Sequence, residues 1–78
     1  MIKELDIIAL TVDLPEEQLK AGDMGTVVHI YQGQKAYEVE FMTLDGETVG
    51  VVHLLPSQAR AIGHHEIANT RRLAEVSQ

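Results

Sequence analysis

Four histidines, His29, His53, His64 and His65, and two alternating carboxylates, Glu38 and Glu40, are the residues here whose types and spacing bear on chemistry. The carboxylates sit in the run AYEVEFM, so on a strand both project from one face, about 7 Å apart. Paired carboxylates near that separation suit glycoside hydrolysis. That reaction needs one carboxyl with a raised pKa, which an apolar pocket provides and an exposed strand face does not. A solvated outer face that also guards against edge pairing is the favoured reading. Most zinc sites need three or four converging ligands. Adjacent His64 and His65 point apart on a helix, and His29 and His53 share a face only if their strands are neighbours, with Glu66 a spare carboxylate. Exposed polar positions are favoured over a metal site. Ser57 and Ser77 are the only serines, and neither lies in a GxSxG elbow. No catalytic residue, metal or cofactor is expected, and the chain is not read as an enzyme.

The elements that position these residues are short and extended. Residues 5–12, LDIIALTV, are aliphatic and β-branched, and predict a strand apolar on both faces. Residues 13–22, DLPEEQLKAG, form a long first connection, with a single helical turn near Pro15, Asp13 near its N-cap, and Leu14 and Leu19 as pins. Gly22 and Gly25 bracket a tight turn, where glycine supplies positive φ or close backbone approach. That turn is not GxGxxG, and no helix follows to hold a phosphate. TVVHIY, residues 26–31, is a second strand, with Val28 and Ile30 expected inward and His29 outward. Gln32 to Lys35 is a hairpin tip, and in the third strand Tyr37, Val39 and Phe41 face inward.

Asp45-Gly46 predicts another hairpin. In the strand that follows, residues 47–55, Val49 and Val51 share a face with His53, and Gly50 predicts a bulge or sharp bend. Pro56 to Ala59 reads as a turn of 3₁₀ helix before a short closing strand at residues 60–62. After Gly63, residues 64–76 contain helix formers with a partial apolar stripe, so a short helix is expected. Such a helix is marginal alone and must dock on the barrel or on a partner.

Composition bounds the answer. The chain has 78 residues, enough for one small domain, which buries only about 60–65% of its unfolded surface. Cysteine is absent, so disulfides, thiolate metal sites and cysteine nucleophiles are excluded, and a reducing cytoplasm is the expected setting. No apolar run approaches the roughly 20 residues that span a bilayer, and the first residues read as a mature strand rather than a leader. Net charge is −6, with ten Asp or Glu against four Lys or Arg in residues 1–62. An acidic body repels phosphate backbones, so nucleic acid is a disfavoured partner.

Five short strands, a long first connection and a one-turn break before the last strand fit a mainly β fold. The expected architecture is a small five-stranded, partly open SH3-like barrel over residues 1–62, with a C-terminal helical tail over 63–78. The ELD strand, LKxGDxGTVV, YEVEF and the DG turn together, over about residues 2–62, resemble an uncharacterised bacterial family of short domains. The resemblance implies an SH3-like barrel of unknown activity and supplies no catalytic residue. GDMGTVV is also similar to the KOW motif of ribosome- and transcription-associated barrels, whose surroundings are usually basic.

The favoured function is therefore a non-catalytic protein-interaction module. It would self-associate as a homo-oligomer, or bind and inhibit a partner encoded nearby in an antitoxin- or immunity-like role. A KOW-like nucleic-acid barrel is the alternative, and a metal-dependent enzyme is less favoured. Candidate interaction residues are Leu14, Leu19, Met24 and Tyr31 on the barrel, and Ile67, Leu73 and Val76 on the tail. Each could equally be covered by the domain itself.

Overall fold

In a computed structural model that describes residues 1–73, the chain forms a single antiparallel sheet of five strands that does not close on itself. The strands are β1 (Ile7–Leu10), β2 (Met24–Ile30), β3 (Tyr37–Met42), β4 (Thr48–Leu54) and β5 (Ala59–Ala61), arranged in the order β4-β3-β2-β1-β5. Among the described residues the helical turns are all 3₁₀: Pro15–Glu17, Gln32–Gln34 and Pro56–Gln58. The mainly β expectation holds, as do the turns foreseen at the two prolines.

The core is aliphatic apart from Tyr37 and Phe41. Ile8, Leu10, Leu19, Val27, Tyr37, Val39, Phe41, Val52, Leu54 and Ala59 pack together, with Ile2, Leu14, Ile30 and Val49 against them. Strand β3 keeps its period of two: Tyr37, Val39 and Phe41 are buried, while Glu38 and Glu40 lie on the other face. Two neighbouring strands break that period. In β2 the pairing with β3 shifts between Val27 and His29, so an extra residue enters there. Val27 is consequently fully buried and Val28 is 40% exposed, which overturns the inward placement of Val28. The bulge resets the alternation, so Ile30 still packs on the core and His29 still faces out. In β4 the shift falls opposite Phe41 and Met42, where Phe41 pairs Gly50 and Met42 pairs Thr48. The extra residue, Val49, turns onto the core, away from exposed Val51 and His53. The irregularity expected at Gly50 is thus found beside it.

The turn before β2 uses its glycines in two ways. Gly22 has φ +94°, a conformation that side chains rarely adopt. At Gly25 a Cβ would lie 2.6 Å from Val39 Cγ1 and 2.8 Å from Phe41 Cε1, so only a hydrogen there lets the Phe41 ring close on β2. The first connection is ordered as expected. Leu14 and Leu19 exchange backbone bonds of 2.9 and 3.1 Å. The Asp13 carboxylate accepts the Ala21 N–H at 2.9 Å rather than capping the turn at Pro15.

The tail departs from its expectation. Residues 63–73 contain no helix; residues 74–78 lie outside the described ones. The reason lies in what the side chains hold. Glu66 accepts both Arg60 guanidinium bonds, at 2.9 and 2.8 Å, and the Gly63 N–H at 2.5 Å, while Arg71 binds Asp23. Residues five apart on a helix point about 140° from each other, so one helix could not present Glu66 and Arg71 to one surface. An isolated helix of this length gains too little to resist such anchors.

Candidate functional site

The β2–β3–β4 meander carries a group of interacting side chains at each end. At one end, Glu38 of β3 pairs in register with His29 of β2 and His53 of β4. Its carboxylate takes the Tyr31 hydroxyl at 2.9 Å and lies 2.7 Å from His53 Nδ1. The Tyr31 ring meets the His29 ring edge-on at 4.7 Å between centroids and tilts over His53 at 5.5 Å. The bonds from His53, then Tyr31, hold the Glu38 carboxyl below its usual range, and the Glu38 bond in turn raises the Tyr31 phenol. Glu40, the second carboxylate of the alternating pair, accepts the Thr48 hydroxyl at 2.8 Å. A carboxylate kept ionised and bonded on an outer face is poorly placed to act as a general acid. His29 and His53 do share one face, as their strands flank β3. Among the described residues no three His, Asp or Glu side chains converge as a metal site.

At the other end of the meander lies a groove of about 800 Å³. Leu19, Phe41 and Val49 line its apolar interior; Met24, Met42 and Leu44 are its exposed apolar residues; Asp23 and Asp45 add acid. Tail residues from Asn69 to Leu73 form the remaining wall. There Arg71 is held by three bonds. Its Nε donates to Asp23 Oδ1 at 2.9 Å, its Nη2 donates to the Gln18 carbonyl at 2.9 Å, and Nη2 also pairs with Asp23 Oδ2.

The seat for this guanidinium is built by the first connection. Gln18 adopts a left-handed conformation, φ 61°, at the end of the Pro15–Glu17 turn. The Asp23 carboxylate is fixed by the Lys20 N–H at 2.8 Å. Partial burial works to raise the Asp23 pKa; the bonds from Arg71 and Lys20 and their charges outweigh it, so the carboxyl sits below its usual value.

The candidate residues from the sequence divide between these places. Leu19, Met24 and Leu73 line the groove; Leu19 does so from the core, at 4% exposure, and Leu73 is half-buried. Leu14 packs on the core beside Leu19, and Tyr31 belongs to the ring cluster instead. Ile67 is 93% exposed, and Val76 lies outside the described residues. Sequence reasoning missed Asp23, Arg71, Met42 and Leu44 as groove residues, and Glu38 as the hub of the rings. The Asp23–Arg71 bond joins residues 48 apart, which no local pattern announces.

The family model for a domain of unknown function, DUF4926, matches residues 4–61. The chain belongs to that family. The match covers all five strands of the sheet and stops where the tail begins, so the resemblance to an uncharacterised family read from the ELD, GDxGTVV and YEVEF motifs is borne out. No curated protein and no solved structure matches the chain. Within the DUF4926 region lie both the ring cluster and the Asp23–Gln18 seat; the arginine that fills the seat lies outside it. No helix among the described residues is long and apolar enough to cross a membrane.

Proposed function

We propose that this DUF4926 chain is a small non-catalytic protein-interaction module built as an SH3-like barrel. The strand order β4-β3-β2-β1-β5, the long first connection and the 3₁₀ turn before β5 support the barrel reading. One observation carries the function: the groove joins exposed apolar side chains, Met24, Met42 and Leu44, to a half-buried carboxylate, Asp23. Apolar anchors beside a placed charge are what a protein partner uses for affinity and orientation. The acidic body favours a basic partner surface.

The test uses tagged chain recovered from the native cell, wild type beside the double variant Met42→Asp/Leu44→Asp. A stoichiometric protein partner retained by the wild type and lost by the variant is expected, with melting of the two chains closely similar. If both chains recover the same proteins, or the wild type recovers none and light scattering gives a monomer mass, the interaction reading fails.

A further inference from the structure

Arg71 stands between two hollows. It lines the larger groove and also a smaller one of about 330 Å³, bordered by Asp13, Pro15 and Lys20. Its guanidinium meets a carboxylate and a backbone carbonyl that are both held by the first connection, not by the tail. A planar fork paired with a carboxylate through two nitrogens is geometry that arginine satisfies and lysine does not. Two residues further on, Leu73 adds a half-buried apolar contact. Between the Glu66 anchor and Arg71, the residues Ile67, Ala68, Asn69 and Thr70 are all exposed. The tail therefore presents a guanidinium and a leucine, in non-helical chain, to a seat built by the first connection.

We infer that the Asp23–Gln18 seat is a recognition site for an extended basic segment of a partner protein, an arginine followed two residues later by an apolar side chain, and that the chain's own Arg71 and Leu73 occupy it in cis. This rests on the interaction reading above and names its partner chemistry. Charge complementarity points the same way: the body is acidic, and Asp13 adds its field to that of Asp23 at Arg71. Nine residues separate the end of β5 from Arg71. A tether that short holds Arg71 at an effective concentration on the order of millimolar. A partner must exceed that competition, and a second copy of the tail, identical in contacts, has no advantage over the first.

The experiment titrates the full chain with a blocked synthetic peptide, Asn-Thr-Arg-Arg-Leu-Ala, following backbone amide shifts. Arg71→Ala chain, with the seat vacated, is expected to bind at least tenfold tighter than wild type, with the largest shifts at Gln18, Asp23 and Met42. Arg71→Gln should behave alike. The Lys-for-Arg peptide, or Asp23→Asn introduced beside Arg71→Ala, should each weaken binding at least tenfold. Equal affinity for wild type and Arg71→Ala overturns the cis occupancy. Indifference to the lysine peptide or to Asp23→Asn overturns the arginine seat. If the peptide fails on Arg71→Ala while Met42→Asp/Leu44→Asp still sheds a native partner, the interaction reading stands and this inference falls. If the peptide binds as expected while that variant keeps every partner, the interaction reading is what fails.

Discussion

At one end of β2, β3 and β4, Glu38 is bonded to His53 of β4 and to Tyr31, the residue just past β2; at the other, Asp23 is bonded to Arg71, 48 residues along the chain. The bonds to Glu38 are contained in the meander. Both of its partners lie on or just past a neighbouring strand, so folding of the meander alone brings them together. The groove end is completed by a segment that contributes little besides Arg71 and Leu73. The difference separates contacts that finish a sheet from contacts that can be exchanged. Both ends carry a carboxylate held below its ordinary pKa, so charge alone does not tell them apart; the partner's tether does.

The largest expected effect tests whether the two ends share one foundation. Phe41 is 2% exposed, lies under the groove and shares β3 with Glu38. Phe41→Ala should cost about 3–5 kcal/mol, a large share of what a domain this small possesses. Urea unfolding followed at the tyrosines and at the Leu73 amide should shift together. If only the groove signal moved, the ends would be separate units and the comparison would need redrawing.

Acid should then separate the tail from the sheet. The Arg60 guanidinium, with the Gly63 N–H, lowers the Glu66 carboxyl from 4.5 to about 2. A carboxyl depressed in the folded state contributes fully above its unfolded pKa, and the contribution is lost as pH falls through the folded value. The tail anchor is therefore intact at and above neutral pH, weakens below 4.5 and is lost near 2. Gly63 and Ile67 amide shifts followed into strong acid measure it; a midpoint near 4.5 would mean that the ion pair does not form in solution.

The smallest effect belongs to the ring end. Glu38→Gln weakens the hydrogen bond that raises the Tyr31 phenol and removes the charge behind it, so its ionisation should move back toward 10 while melting changes little. Phenolate absorbance against pH reads this, and peptide binding in the groove should be unaffected. Unchanged phenol titration would mean that the Tyr31–Glu38 bond is open in solution.

How far these regions were legible in the sequence depends on the range of the contacts. Tyr37, Val39 and Phe41 were placed correctly because β3 keeps a strict period of two. Val28 was not, because one inserted residue at the β2 bulge inverts the alternation before it and restores it after. Composition marks no such insertion in β2, whereas in β4 Gly50 did mark one. The helix expected at 64–76 followed local propensity, which packing and side-chain anchors override. The Asp23–Arg71 seat was illegible for a further reason: Asp23 reads as turn chemistry and Arg71 as one residue of a short tail helix until the fold joins them. Glu38 reads as a solubility charge because its partners, Tyr31 and His53, lie outside its own strand.

The pairing of β1 with β5 matches Ile8 with Ala61 and Leu10 with Ala59. The first strand of the sheet thus waits for the last. The meander between them closes through short turns, and the β1–β5 ladder closes only after most of the chain has been gathered, against the entropy of a long loop. On a ribosome the sheet is incomplete until residue 61 has emerged, and the arginine that fills the seat emerges later still. Of the residues that build and fill the seat, the arginine is thus the last to be made.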